Sequence, residues 1–318
     1  MEFYYVLSED ERTATCYYDD RCEERGGILA KSNSGCFSNL FGTLDDLKKV
    51  VFDVTCKSAS FDSTRNWFSG YSSLEEITGL ENLNTGKVKD MSGMFSGCSA
   101  LSALDLSSFD TTHVEYMPSM FSGCSALTAL DLSSFMTTSV RAMYNMFEGC
   151  RSLKALDLSS FNGRAVVNMG NMFADCTALT HLDLSYFYPK KVKVLRGVFF
   201  NCCELTTIYC KATWPCVESW GMFKECRKLR GVVPYDLTRT DAEMANPETG
   251  YFSSEEPNLS LSETSPETAP EKKEEPANNE EHMTPNEFVN CSFFTMQGVP
   301  IEGGVADLPT GMYLMKKD

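Results

Sequence analysis

A segment of sixteen residues recurs in this sequence at a fixed spacing of 26 residues, and this periodicity constrains the fold more than any other feature. The first clear copy spans residues 94–109. Close copies follow at residues 120–135, 146–161 and 172–187, and degraded copies begin at Val198 and Met222. A period of this length predicts a solenoid, because a lone coil cannot bury its apolar side whereas stacked coils share one core.

Each copy contains leucines with the spacing L-x-x-L-x-L, which is typical of a short strand whose leucines enter a core. The leucines are Leu101, Leu104 and Leu106, then Leu127, Leu130 and Leu132, then Leu153, Leu156 and Leu158, then Leu179, Leu182 and Leu184. A phenylalanine follows each strand, at Phe109, Phe135, Phe161 and Phe187. We therefore expect one parallel strand per coil, with the leucines in successive rungs of a shared interior.

After the strand, apolar residues recur with the spacing of one helix face. In one copy they are Val114, Met117, Met120 and Phe121, at i, i+3, i+6 and i+7, which predicts about two turns of α-helix. The position two residues after the last of these apolar residues is occupied by a glycine, aspartate or asparagine in each copy, and these residue types favour a positive-φ helix terminus. The residues are Gly97, Gly123, Gly149, Asp175 and Asn201. The predicted fold is an α/β solenoid of 26-residue coils, each with one parallel strand and one short helix.

The repeat resembles that of the BspA-like leucine-rich-repeat proteins, M-F-x-G-C-x-x-L-x-x-L-D-L-S-x-F-D-T. Met120-Phe121-Ser122-Gly123-Cys124 and Leu130-Asp131-Leu132-Ser133 match this pattern residue for residue. The resemblance covers roughly residues 45–233. It implies a cell-surface or secreted bacterial protein that adheres to other proteins or cells, such as a host surface or matrix protein.

The chain divides into four regions. Residues 1–43 are expected to form an N-terminal β-hairpin that caps the first coil edge, and residues 44–236 the solenoid. Residues 237–287 are expected to be an acidic, largely disordered linker, since residues 253–287 contain ten Glu, five Pro and only two Lys. Residues 288–318 are expected to be a small β-rich segment, which resembles a truncated sorting domain of type IX secretion in Met296-Gln297-Gly298 and Gly311-Met312-Tyr313. The alternative is a hairpin remnant with no role in export.

Charge and hydropathy limit the partners. The formal net charge of −16 makes nucleic acid and anionic membranes poor partners. No run of eighteen apolar residues is present, so we expect no transmembrane segment. Residues 1–6 lack the pattern of a secretory signal. The protein is then either exported with a leader encoded outside this sequence, or an intracellular leucine-rich-repeat scaffold, which free thiols would suit.

Cysteines at the repeat spacing favour a structural role. Cys98, Cys124, Cys150, Cys176 and Cys202 lie one coil apart, a spacing that no metal motif uses, so we interpret them as small buried core residues. The three histidines His113, His181 and His282 have no nucleophile or carboxylate at an informative spacing. We predict no enzymatic activity, no catalytic residue, no metal site and no cofactor.

The residue between the last two leucines of each copy is predicted to point out of the concave face. This column contains four aspartates, Asp105, Asp131, Asp157 and Asp183. At the spacing of neighbouring strands, adjacent unit charges repel by about 0.8 kcal/mol in water. In the structural interpretation, the serines two residues further on relieve this repulsion by donating hydrogen bonds. Alternatively, the column receives a basic partner or a divalent cation.

Later coils depart from the repeat on the same predicted face. His181 and Thr207 replace alanines, Tyr209 continues the aspartate column, and Lys211 replaces a serine. Exposed aromatic and mixed polar residues suit a protein interface, so these four residues join the aspartates as candidate binding residues. The alternative is that the last coils are a degenerate cap.

Overall fold

The computed structural model of the chain describes residues 1–30, 40–42 and 44–254, together with three short strands between residues 291 and 317. The chain forms two compact units, Met1–Leu259 and Ser260–Asp318. The repeats lie in the first unit, so that unit contains the solenoid and its caps.

An N-terminal sheet begins the first unit. Strands β1 (Glu2–Leu7) and β2 (Thr13–Asp19) form an antiparallel hairpin, and β3 (Ile28–Leu29) pairs with β1. On its other side β2 pairs in parallel with β4 (Lys49–Phe52), which pairs in parallel with β5 (Glu76–Thr78). A β-hairpin is therefore present where the N-terminal cap was predicted, and its sheet continues directly into the first coils.

The apolar columns share one core, as predicted. Leu130, Leu156 and Leu182 are buried and Leu104 packs against the same core at partial exposure. A second stack is formed by phenylalanines of the M-F pair, with ring centroids 5.7 Å apart between Phe95 and Phe121. The stack continues through Phe147, Phe173, Phe199 and Phe223.

The helix predicted in each coil is wrong, because that segment folds as consecutive tight turns. In the described residues, helical structure is limited to three 3-10 segments, η1 (Val54–Ser58), η2 (Leu80–Asn82) and η3 (Ala242–Met244). Within a coil, the Met94 N–H donates to the Met91 carbonyl at 3.2 Å, whereas the Phe95 N–H donates to Met120 of the next coil at 2.9 Å. This alternation of local and inter-coil bonds replaces the i→i+4 bonds of an α-helix.

Positive φ angles enforce these turns. Gly123 has φ 74° at the position predicted to end a helix, and Ser119, four residues earlier, has φ 55°. The column of Ser119 continues as Asn145, Asn171 and Gly197, all with positive φ. Two left-handed residues in each coil are incompatible with a continuous right-handed helix, which is why the apolar spacing did not produce one.

The predicted strand ladder is also incomplete. Strands β6 (His181–Asp183) and β7 (Thr207–Tyr209) pair in parallel, but the leucine segments at residues 101–106, 127–132 and 153–158 contain no strand. The continuous parallel bridges lie on the opposite part of each coil, linking Ser63, Asp90, Tyr116, Ala142, Asn168, Val194 and Glu218. The turns make four inter-coil hydrogen bonds at many of these steps, so the backbone pairing that orders the stack lies there.

Residues beyond the last repeat close the stack. Strand β8 (Phe252–Ser253) pairs in parallel with β7. The Phe223 N–H donates to the Thr240 carbonyl at 2.8 Å, and the Gly221 N–H donates to the Asp241 carboxylate at 2.8 Å. The predicted start of the linker at residue 237 is therefore wrong, since residues 237–254 complete a C-terminal cap. Residues 255–290 lie outside the described residues.

The second unit contains an antiparallel sheet of three strands. Strand β9 (Cys291–Phe294) pairs with β10 (Pro300–Ile301) on one side and with β11 (Leu314–Lys317) on the other. A β-rich C-terminal segment was predicted. Residues 296–298 and 311–313, on which the resemblance to a sorting domain rests, both lie outside the described residues.

Candidate binding surfaces

Four aspartates form an exposed column, which we call the aspartate face: Asp105, Asp131, Asp157 and Asp183. Each carboxylate accepts the backbone N–H of the serine two residues later, and at Asp131 this distance is 2.9 Å. The Ser107 hydroxyl also donates to Asp105, at 2.6 Å. The predicted relief of charge by serine is thus present, although the backbone N–H is the donor common to all four sites.

At Asp105 and Asp131 these hydrogen bonds favour the ionised carboxylate. The hydroxyl and N–H of Ser107 hold the pKa of Asp105 below its ordinary value. The N–H and hydroxyl of Ser133 likewise lower the pKa of Asp131, against a smaller opposing effect from the charge of Asp105. The aspartate face is therefore a fixed row of negative charges at neutral pH.

The C-terminal candidates are only partly exposed. His181 and Thr207 are half-buried neighbours across the β6–β7 pair, and Lys211 is exposed. Tyr209, which was predicted to lie on the exposed face, is instead buried at 2% exposure, with the Lys211 ammonium 5.6 Å from its ring centroid. Because β8 adds a strand beside β7, Tyr209 lies in a covered position rather than on the open edge of the sheet.

The cysteine column is buried. Each thiol donates to a phenylalanine carbonyl of an earlier coil; for Cys124 the acceptor is Phe95 at 3.1 Å. The same contact is made by Cys98, Cys150, Cys176, Cys202 and Cys226. Burial raises the pKa of Cys98 to about 12, so this thiol stays protonated and unreactive at neutral pH.

The described residues contain no group of three or more His, Cys, Asp or Glu side chains placed to hold a metal ion. His181 Nδ1 lies 3.0 Å from the Thr180 hydroxyl, and His113 is near the Asp110 carboxylate. His282 lies outside the described residues. In the part of the chain that the structure describes, no helix is long and apolar enough to cross a membrane.

The sequence analysis missed a groove on the bridged side of the coils. Its volume is about 570 Å³, and its charged lining consists of Lys89, Arg141, Lys191 and Glu115. We call it the basic groove. Lys89, Glu115 and Arg141 are 26 residues apart, so the period itself could have revealed this charged column, had the predicted helix not directed attention to the other side.

An apolar cavity of about 540 Å³ lies further along the solenoid. Its lining includes Tyr188, Pro189, Trp214 and Pro215. It is close to the C-terminal coils and contains no charged residue other than Lys190.

The stacked leucine-rich coils and their continuous phenylalanine core define the molecule as a leucine-rich-repeat protein. The chain belongs to the family described as "Mycoplasma protein of unknown function, DUF285", whose sequence profile matches residues 62–161 and 128–233, more than half of the chain. No functionally curated protein matches it.

Solved structures with similar folds come from several sources. A T. pallidum leucine-rich-repeat protein is 18% identical, with a TM-score of 0.35, over 72% of this chain and 89% of that one. A leucine-rich cell surface protein of Faecalibacterium prausnitzii is 19% identical, with a TM-score of 0.34, over 68% and 55% of the two chains. A chain of a TLR13–ssRNA13 complex is 19% identical, with a TM-score of 0.31, over 63% and 32%.

Proposed function

We propose that this protein is a non-enzymatic protein-binding module that binds its partner through the aspartate face. The observation that carries the proposal is that four exposed carboxylates occupy the same position of successive coils. Each accepts a hydrogen bond from a serine N–H, and the coils share one core. A fixed row of negative charges favours a partner with a complementary basic surface, because rigid display lowers the entropy lost on binding.

The neighbouring C-terminal residues extend this surface. His181, Thr207 and Lys211 retain exposed polar groups beside Asp183. They differ from the residues at the same positions of earlier coils, so they supply the part of the surface that is not repeated. Specificity for one partner is expected there, while the aspartates supply the charge.

We further propose that the module is displayed at the surface of a bacterial cell or secreted, where it adheres to a surface or matrix protein of a host. The resemblance of the repeats to the BspA-like proteins supports this location. Labelling of intact cells with a reagent that cannot cross the membrane tests it, and labelling only after lysis would contradict it.

Affinity capture with the full chain tests the aspartate face. The variant replaces all four aspartates by asparagine, and the control variant makes the same change at Asp20, Asp45, Asp46 and Asp62, which are also exposed. Both variants lose four negative charges. The proposal expects host matrix proteins to be retained by the wild type and the control but not by the first variant. Equal loss in both variants would show a general charge effect instead.

An intracellular scaffold is the second candidate, and the cysteines favour it. The twelve cysteines that the structure describes between residues 1 and 254 are free, and most of them are buried. Free thiols persist most easily in a reducing compartment. The labelling of intact cells distinguishes the two locations, because the scaffold would be labelled only after lysis.

A further inference from the structure

The basic groove differs in charge from the rest of the molecule. The chain has a net charge of −16, yet the charged lining of the groove has three cations, Lys89, Arg141 and Lys191, and one carboxylate, Glu115. Lys193, two residues after Lys191, adds a further exposed cation on the bridged side. A local excess of positive charge on an acidic protein is a surface that selects for a negative partner.

The cations of the groove are only partly neutralised. The Arg141 guanidinium lies 3.5 Å from the Glu115 carboxylate, with both side chains substantially exposed. In the described residues, no carboxylate lies within 4.0 Å of the ammonium groups of Lys89 or Lys191. An exposed pair such as Arg141–Glu115 contributes little, so an incoming carboxylate can compete for Arg141 and meet two further cations.

The dimensions of the groove fit a short extended peptide. Its lining comes from five successive coils, since it runs from Lys89 past Arg141 to Lys191. At about 4.8 Å per coil, the end cations are about 19 Å apart. An extended peptide advances about 3.3 Å per residue, so about six residues span this distance.

The chemistry of the lining favours a peptide over a nucleic acid. Besides the His113 imidazole, the rest of the lining that carries no charge is small or aliphatic, including Ser139, Ala165 and Val167, and it contains no Phe, Tyr or Trp. Single-stranded nucleic acids rely on aromatic side chains for base stacking. A longer polyanion would also extend beyond the groove over a chain whose net charge is −16, whereas a peptide of six residues ends within it.

We propose that the basic groove binds an extended acidic segment, about six residues long, of a partner protein. This site is separate from the aspartate face and goes beyond the function proposed above. Carboxylates of the segment pair with Lys89, Arg141 and Lys191, and its backbone lies over Ser139 and Ala165.

Fluorescence anisotropy of the full chain with fluorescein-labelled hexaglutamate tests this site. Binding is expected at low salt and should weaken as the salt concentration rises. The triple variant Lys89→Glu, Arg141→Glu, Lys191→Glu should bind at least about tenfold more weakly. A control triple variant, Lys57→Glu, Arg151→Glu, Lys224→Glu, makes the same charge change at exposed positions outside the groove and should bind within about twofold of the wild type.

Two further arms separate the alternatives. The variant with four asparagines on the aspartate face should bind hexaglutamate at least as well as the wild type, so failure of one site does not imply failure of the other. The groove proposal is overturned if hexaglutamate does not bind, if both triple variants lose affinity equally, or if an oligothymidine of twelve nucleotides binds the groove more tightly than hexaglutamate. Circular dichroism of each variant verifies that the fold is retained.

Discussion

At the residue scale, the aspartates have a structural role as well as a charge. Asp131 accepts the Ser133 N–H at 2.9 Å, and asparagine makes the same contact elsewhere in this chain, at Asn162 with the Arg164 N–H. The substitution Asp131→Asn should therefore leave the urea midpoint of unfolding almost unchanged, because the amide oxygen can replace the carboxylate as acceptor.

The substitution Asp131→Ala removes that acceptor and should lower the urea midpoint. Both variants remove one negative charge, but only Asp131→Ala also removes the acceptor of the Ser133 N–H. The difference between their midpoints therefore measures the contribution of this hydrogen bond. If Asn and Ala lowered the midpoint equally, the hydrogen bond to Ser133 would have no measurable role in stability.

The buried thiols predict a loss of stability at alkaline pH. Burial raises the pKa of Cys98, Cys150 and Cys226 to about 12 in the folded state, against an ordinary value of 9.0. The unfolded thiols ionise first, so this stability is fully present below about pH 9 and is lost as the pH rises toward 12. Each thiol contributes up to about 1.4 kcal/mol of loss per pH unit in that range.

Urea unfolding at pH 8, 9 and 10 measures this loss. The slope of the unfolding free energy against pH should be shallower in Cys98→Ala than in the wild type, because one titrating group is absent. An exposed control, Cys216→Ala, should leave the slope unchanged. A free energy that is independent of pH between 8 and 10 would contradict the burial of the column.

At the element scale, buried threonines connect successive coils. The Thr111 hydroxyl donates to the Met136 carbonyl at 3.2 Å and accepts the Met136 N–H at 2.7 Å. Thr111→Val keeps the shape but removes both bonds, so it should lower the free energy of unfolding by about 1–3 kcal/mol. Thr138→Val, at an exposed position, should change it by less than about 0.5 kcal/mol. Chemical denaturation measures the free energy of unfolding of both variants. If Thr111→Val and Thr138→Val lowered it equally, the two hydrogen bonds of Thr111 would not contribute to stability.

The sequence predicted which side chains are buried better than it predicted the backbone. Val114, Met117, Met120 and Phe121 are all buried, as the apolar spacing indicated. The same spacing fits an α-helix and a series of tight turns, because both return a side chain to the core about every three residues. The difference depends on positive φ in the column of Ser119, and the signal for it lay in the Asn and Gly residues at the same position of other coils rather than in the apolar spacing.

At the scale of the whole molecule, the repeat predicts columns but not how they are used. The aspartate face followed from the sequence, because the repeat places one aspartate at the same offset in each coil. The basic groove was missed although Lys89 and Arg141 share one column of the period, because the predicted helix directed attention to the other side and Lys191 comes from a different column. Tyr209 was misplaced for a third reason: the strand that pairs beside it comes from residues predicted to be a linker.

The C-terminal cap yields the last prediction. Tyr251 and Phe252 are fully buried, and the Phe252 ring packs edge-on against Trp214 with centroids 5.3 Å apart. A chain ending at residue 236 loses these contacts and exposes the last coil, including the Phe223 N–H that pairs with Thr240. An exposed apolar coil end is also a template for association between molecules.

A fragment of residues 1–254 should therefore unfold at the same urea concentration as the full chain, whereas residues 1–236 should aggregate or unfold at lower urea. Phe252→Ala in the longer fragment should lower the unfolding free energy by about 3–5 kcal/mol, because it leaves a cavity between Trp214 and Phe223. Size-exclusion chromatography and urea denaturation measure these effects. If the shorter fragment were monomeric and as stable as the longer one, residues 237–254 would not be the cap, and the repeats would close the stack themselves.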